Sequence, residues 1–216
     1  MSYSKCSGKD IFSIVESLIA NSERKHRLDI GSGGTSKEFI TLDKHSKADI
    51  SGDIRVAFAP VYMDKAKQYK QILGIEKVRF QFVKMSHIVE HIEWIYQKWM
   101  FEWVYSLMQT PSSLFIETPN LRWICQQYVD RASIDTQALI EEHPDLTGEY
   151  ADFQRWMNYK IYSGASTNAF DKGGTDGDFH LCMYDADLLY DNLNKCGFDN
   201  IYIAEEETLL CVADKK

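Results

Sequence analysis

No apolar run in this chain approaches the roughly 20 residues that a bilayer span requires, and Ser2 to Asp10 is polar where a secretion signal carries its apolar stretch. Both absences predict a cytoplasmic protein without a membrane partner. Paired cysteines are missing too. Cys6, Cys125, Cys182, Cys196 and Cys211 are scattered with no C-x-x-C spacing, and an odd number cannot all be bridged internally. Reduced thiols are expected. Basic charge is scarce, with 24 Lys and Arg against 32 Asp and Glu and a net charge of -8. That balance works against the clustered cations a phosphate backbone needs, so nucleic acid is a disfavoured partner. No internal repeat is evident. What is present, 44% hydrophobic and 26% charged residues over 216 positions, suits one globular domain with a full core.

The stretch Leu28-Asp29-Ile30-Gly31-Ser32-Gly33-Gly34 sets a short apolar strand against an acid and three glycines. Glycines at a strand's carboxyl end allow positive φ and a close ligand approach, and cofactors sit at that end of open α/β sheets. Only Thr35 to Glu38 separate them from a second strand-like run, Phe39 to Leu42, closing on Asp43. Eight extended residues reach roughly 26 Å, enough for a parallel return. The helix that normally follows such a loop is therefore predicted to be reduced to a turn. Asp43 then stands where a nucleoside site puts its ribose-binding carboxylate, about half the usual ~20 residues along.

Around this unit the pattern alternates. Residues 10 to 21 repeat apolar positions at helical spacing behind a Ser7/Asp10 capping box. Gly52-Asp53-Ile54-Arg55 is a second acid-bearing turn. Residues 64 to 73 read as a helix stopped by a left-handed Gly74. Val78 to Val83 alternates as a strand and delivers Ser86 to His91 onto a helix over about 89–108, whose Trp94, Tyr96, Trp99, Phe101, Trp103 and Tyr105 are mostly expected in the core. Thr110-Pro111-Ser112 should end that helix before a strand, Leu114 to Glu117. An insertion over about 121–179 follows, with helical patterns at Trp123–Val129, Thr136–Glu142 and Tyr150–Ile161 and a Gly-rich loop, Gly164 to Gly177. It reads as a lid or substrate platform, with Trp123, Trp156 and Tyr159 suited to ring stacking or to core. Asp185 caps a helix running to Lys195, Gly197 stops it, and Asn200–Ala204 with Thr208–Ala213 form an antiparallel hairpin.

With these elements placed, the sequence resembles the class I S-adenosylmethionine-dependent methyltransferases, in particular small ones with a shortened glycine loop. Asp29 to Gly34 matches their motif I, Leu42-Asp43 their ribose-binding acid, and Gly52 to Arg55 their adenine turn. Ser86-His87-Ile88-Val89-Glu90-His91 is similar to their Ser-His-x-Leu-Glu-His run, and His180 through Gly197-Phe198 to their closing region. The chain departs from the pattern at Thr110-Pro111-Ser112, where a Pro-Gly lead-in is usual, and after Gly34. The resemblance implies a single Rossmann-like domain over 1–216: a mostly parallel sheet with a C-terminal antiparallel hairpin and the helical insertion. It implies S-adenosyl-L-methionine held by Asp29, Gly31, Ser32, Gly33, Asp43, Asp53, Ile54 and Ser86. It further implies O-methyl transfer to a small-molecule or sugar-like acceptor, with His87 and then His180 as base candidates. The oligomeric state is not specified.

Two other chemistries fit parts of the same sequence. His87-x-x-Glu90-His91 also spells the inverted zincin motif of a zinc hydrolase, with both histidines on one helix. That reading needs a third ligand, and no metal residue is assigned. Alternatively, the fold could serve as a non-catalytic binding or scaffolding module whose partner surface is the insertion.

Overall fold

The computed structural model describes residues 3–44, 47–62, 70, 72, 74–130 and 180–216. The patterns at 136–142, 150–161 and 164–177, with Trp156 and Tyr159, and most of 64–73 lie outside the described residues.

The strands are β1 (Ser4–Lys5), β2 (Arg27–Ile30), β3 (Ile40–Asp43), β4 (Ile50–Ser51), β5 (Phe80–Ser86), β6 (Met108–Pro119), β7 (Asp199–Glu205) and β8 (Thr208–Lys215). They form one sheet in the order β1-β7-β8-β6-β5-β2-β3-β4. All neighbours are parallel except β8, which runs antiparallel to both β6 and β7. The α-helices among the described residues are α1 (Gly8–Ala20), α2 (Gln97–Leu107), α3 (Leu121–Val129) and α4 (Ala186–Lys195).

The two-residue period of the strands sorts their side chains onto two cores. Leu28, Ile30, Val83, Met85, Leu114 and Ile116 pack under Met100, Phe101 and Leu107 of α2 and Leu189 and Leu193 of α4. On the opposite face, Ile11 of α1 joins Phe39, Phe82, Phe115, Leu210 and Val212. The capping box forms as expected, with Ser7 Oγ accepting from the Asp10 N–H and Asp10 accepting from the Ser7 N–H. Asp185 caps α4 by accepting from the Leu188 N–H at 2.8 Å, and Gly197 turns the chain out of the helix with φ 94°. The return from β2 to β3 contains turns and no helix, and Asp29 pairs in register with Thr41.

Three expectations fail. Gly74 has φ -59°, an ordinary right-handed conformation, and leads into a short 3-10 turn over Ile75–Lys77 in place of a left-handed stop. The helix expected from residue 89 begins at Gln97. Before it come two 3-10 turns, Val89–His91 and Trp94–Tyr96, separated by extended Ile92 and Glu93. This break turns Trp94 and Trp99 outward, 74% and 43% exposed, while Phe101 and Trp103 are buried as expected. Thr110-Pro111-Ser112 lies inside a strand, because β6 starts at Met108 against Phe80 and is then held along the length of β8.

The break has a physical cause in Gln97. Its buried amide donates to the carbonyls of Val89 at 2.9 Å and Ile92 at 2.7 Å, and its carbonyl accepts from the buried Tyr184 hydroxyl. One side chain thus satisfies groups that a continuous helix would have satisfied within itself. Gln97→Leu should remove the side-chain partner of the Ile92 carbonyl and of the buried Tyr184 hydroxyl, leave Val89 with only its longer bond from the Ile92 N–H, and lower unfolding free energy by about 3 kcal/mol. Urea denaturation followed by circular dichroism measures this, and a loss below about 1 kcal/mol would remove Gln97 from the account.

Candidate functional site

The carboxyl ends of β2, β3, β5 and β6 meet at one place. The glycine loop leaves β2 with Gly31 at φ 78° and Gly33 at φ 68°. The Gly31 N–H donates to the Leu42 carbonyl at 2.8 Å, and the Gly33 N–H donates to Asp43 Oδ2 at 2.8 Å. Ser32 Oγ bonds the Gly34 carbonyl at 2.8 Å. Asp43, buried at the end of β3, therefore braces the loop through a charge-assisted bond. A Cβ at Gly33 or Gly34 would touch nothing, so the loop backbone faces open space, whereas one at Gly31 would lie 2.8 Å from Ile88 Cβ. That contact seats the 86–91 turn against the glycine loop.

Asp29 lies on the α1 face of β2, 6% exposed, with Oδ2 3.5 Å from Lys84 Nζ and Oδ1 buried without a hydrogen-bond partner. Burial raises its pKa above the ordinary value of 3.8, and Lys84 opposes the rise only in part. Asp53 caps a 3-10 turn, Ile54–Ala57, and grips the Arg55 guanidinium at 2.8 Å; Ile54 itself is buried in the core. Arg55 continues to Tyr62 Oη at 3.0 Å, and that hydroxyl donates to Glu93 at 2.7 Å.

At the end of β5, Ser86 Oγ donates to Glu117 Oε2 at 2.6 Å across the β5–β6 register. His87 has the left-handed φ of 52°, and its N–H donates to the Glu117 carbonyl at 2.9 Å. Its ring is half exposed, with Nδ1 3.1 Å from Glu90 Oε1 and Nε2 3.8 Å from Glu117 Oε1. Glu90 is fully buried and also accepts from Thr118 Oγ1 at 3.1 Å. The zincin reading fails on this backbone. His87 precedes a 3-10 turn with a left-handed residue, so His87 and His91 do not share a helix face. His91 instead meets His180, ring centroids 5.1 Å apart.

Of the sequence-assigned residues, Gly31, Gly33 and Asp43 come together directly, and Ser86 and His87 join them through the Gly31–Ile88 packing. Asp53 is held in place by Arg55. Glu117, Thr118 and the Gln97–Tyr184 pair were missed. Glu117 carried one signal, an acid following three apolar residues at the carboxyl end of a buried strand. Gln97 and Tyr184 carried none, since their partnership spans 87 positions.

No described helix is long and apolar enough to cross a membrane. No family model matches the chain, and no curated protein is significantly similar to it in sequence. Solved structures are similar in fold. A SAM-dependent methyltransferase from Archaeoglobus fulgidus is 14% identical, covering 96% of this chain and 94% of that one at a TM-score of 0.50. Another from Methanosarcina mazei is 14% identical, covering 94% and 96% at a TM-score of 0.51. An O-methyltransferase family protein from Burkholderia thailandensis is a looser likeness, 9% identical at a TM-score of 0.47, with 96% of this chain covering 55% of that one. Identities this low speak for architecture, and on that architecture the chain has the Rossmann-like fold of the class I SAM-dependent methyltransferases.

Proposed function

We propose that this protein is an S-adenosylmethionine-dependent methyltransferase of the cytoplasm, acting on a hydroxyl of a small-molecule or sugar-like acceptor. The observation that carries the reading is the Gly33–Asp43 bond, which fixes a carboxylate beside an open glycine loop at the strand ends. The chain's residues fit the cofactor. Asp43 has the lone pairs to take ribose hydroxyls, the orphaned Asp29 Oδ1 is a buried acceptor in want of a donor, and the glycine loop leaves room for a ligand. Ser32 and Ser86 border the loop. Asp53 with the backbone of Ile54 is assigned to the adenine end, with the Asp53 carboxylate oriented by Arg55.

The bound cofactor supplies a methyl group already made electrophilic by its sulfonium. What the chain must add is alignment and removal of the acceptor's proton. His87 is assigned that task. Glu90 accepting from Nδ1–H leaves the lone pair on Nε2 of a half-exposed ring, 3.8 Å from Glu117 Oε1. His180 is the second candidate. A partner-binding module on the same fold would need neither histidine.

Three measurements test this. In calorimetric titration, S-adenosylhomocysteine should bind saturably, and Asp43→Ala should weaken binding at least tenfold; no binding by the wild-type chain would leave the partner module as the better reading. His87→Asn keeps a residue tolerant of the left-handed backbone. It should hold cofactor affinity while lowering turnover about 100-fold, and unchanged turnover would remove His87 as the base.

The third concerns Asp29. Its raised pKa means that the charged form is disfavoured in the fold, so the stability tied to this group is full below the unfolded pKa and is lost as pH rises through the folded one. Asp29→Asn should therefore unfold at a higher temperature than wild type at pH 7, lose that advantage in acid, and bind S-adenosylhomocysteine more weakly. A variant less stable than wild type at pH 7 would make Asp29 a structural residue.

A further inference from the structure

Glu90, His91 and His180 each offer a ligand atom, and these atoms all lie within 4.8 Å of one another. Nothing in the sequence spacing announces this, because His180 is 90 positions from Glu90. The fold brings them together by backbone hydrogen bonds: the Glu90 carbonyl accepts from the Leu181 N–H at 2.7 Å and from the Cys182 N–H at 3.0 Å. These clamp the residue after His180 to the turn that carries His91. The turn is held from behind by Gln97, and Gln97 is held by Tyr184, two residues beyond Cys182. Both segments bearing the donors are therefore fixed by the same network.

We propose that Glu90, His91 and His180 bind a divalent transition-metal ion of the zinc and cobalt type. Two imidazoles and one carboxylate are the donor set such ions take, and three protein ligands leave positions open for oxygen ligands. Ligands at ~2.1 Å on a tetrahedral ion stand roughly 3.3 Å apart, so side-chain adjustment of about an ångström closes the set.

Charge supplies a second, independent argument. Glu90 is fully buried, and the His87 imidazole beside it also faces Glu117 at 3.8 Å. A buried carboxylate is costly without a compensating cation, and a divalent ion at His91 and His180 provides one. The surrounding groups are arranged as an outer shell. Thr118 Oγ1 donates to Glu90 Oε2 and fixes the carboxylate plane, while His91 and His180 are only half buried and leave a path for entry.

The site adjoins the glycine loop through the Gly31–Ile88 contact. Its open positions are suited to an acceptor that presents one or two oxygens, such as a diol or a hydroxy acid. That use rests on the methyl-transfer reading; the binding of the ion does not.

The test uses the full chain stripped with a chelator and titrated with Co2+, read by its visible d–d absorption, and with Zn2+, read by calorimetry and thermal unfolding. One equivalent should bind and raise the unfolding temperature. His91→Ala and His180→Ala should each weaken binding at least tenfold and abolish the temperature rise, with far-ultraviolet circular dichroism confirming that both fold. Asp43→Ala, which strikes the nucleoside site, should bind Co2+ as the wild type does, so loss of cofactor binding and loss of metal binding are separable. No stoichiometric binding by the wild-type chain, or binding undiminished in both folded histidine variants, would overturn the proposal.

Discussion

Gly31 and Ile88 are packed so tightly that a Cβ on the glycine would sit 2.8 Å from that of the isoleucine, and the ligand end of the sheet depends on this contact. Two backbone conformations make it possible. Gly31 turns out of β2 at φ 78°, and His87 turns out of β5 at φ 52°. The first costs little in a glycine, and the second is uncommon for a residue with a side chain. His87 is held there by its N–H bond to the Glu117 carbonyl and its ring contact with Glu90. A residue in such a conformation needs surroundings that over-determine it. Here they come from the neighbouring strand and from the turn it starts.

The same turn carries the fully buried carboxylate of Glu90. Its position follows from polar bonds that replace helix. Gln97 satisfies Val89 and Ile92, Tyr184 satisfies Gln97, and the Glu90 carbonyl takes two N–H groups from 181–182. A continuous helix from residue 89 would have satisfied those carbonyls internally and given His180 nothing to sit against. The interruption is therefore what joins the C-terminal segment to the end of β5. Because each bond restrains both its partners, the network ties two segments far apart in sequence into one unit.

Local chemistry was legible in the sequence, and partnership across distance was not. Ser7 and Asp10 cap α1 because their spacing alone satisfies two orphan N–H groups. The missing helix between β2 and β3 followed from counting residues, and Asp43 from where the second apolar run stops. Failures arose where a local preference was overridden. Residues 89–96 have helical composition, but Gln97 draws off their carbonyls, so the aromatic pattern was read on a helix that starts eight residues late. Gly74 was assigned a left-handed conformation from its identity, although glycine also adopts right-handed φ freely. The meeting of His91 with His180 needs β6, α3 and the 180–184 segment all in place, and no spacing rule reaches that far.

The helix-free connection after the glycine loop also bears on the proposed cofactor. A dinucleotide site sets a pyrophosphate on free glycine N–H groups and on a helix N-terminus. Here residues 32–39 form turns, and the Gly33 N–H is already bonded to Asp43 at 2.8 Å. Burial raises the proton affinity of Asp29, and the nearby charge of Asp43 adds to the rise. A diphosphate would face these acids without the dipole that normally holds it. A ligand bearing a sulfonium and an amino group meets the opposite situation. At an effective dielectric of ~20, a unit charge about 5 Å from a carboxylate gains or loses roughly 3 kcal/mol according to its sign, so the two signs differ by roughly 6 kcal/mol, about ten-thousandfold in affinity. The shortened connection thus sets a carboxylate on the Gly33 N–H that an anion-binding loop would keep free, which agrees with the cationic nucleoside proposed above.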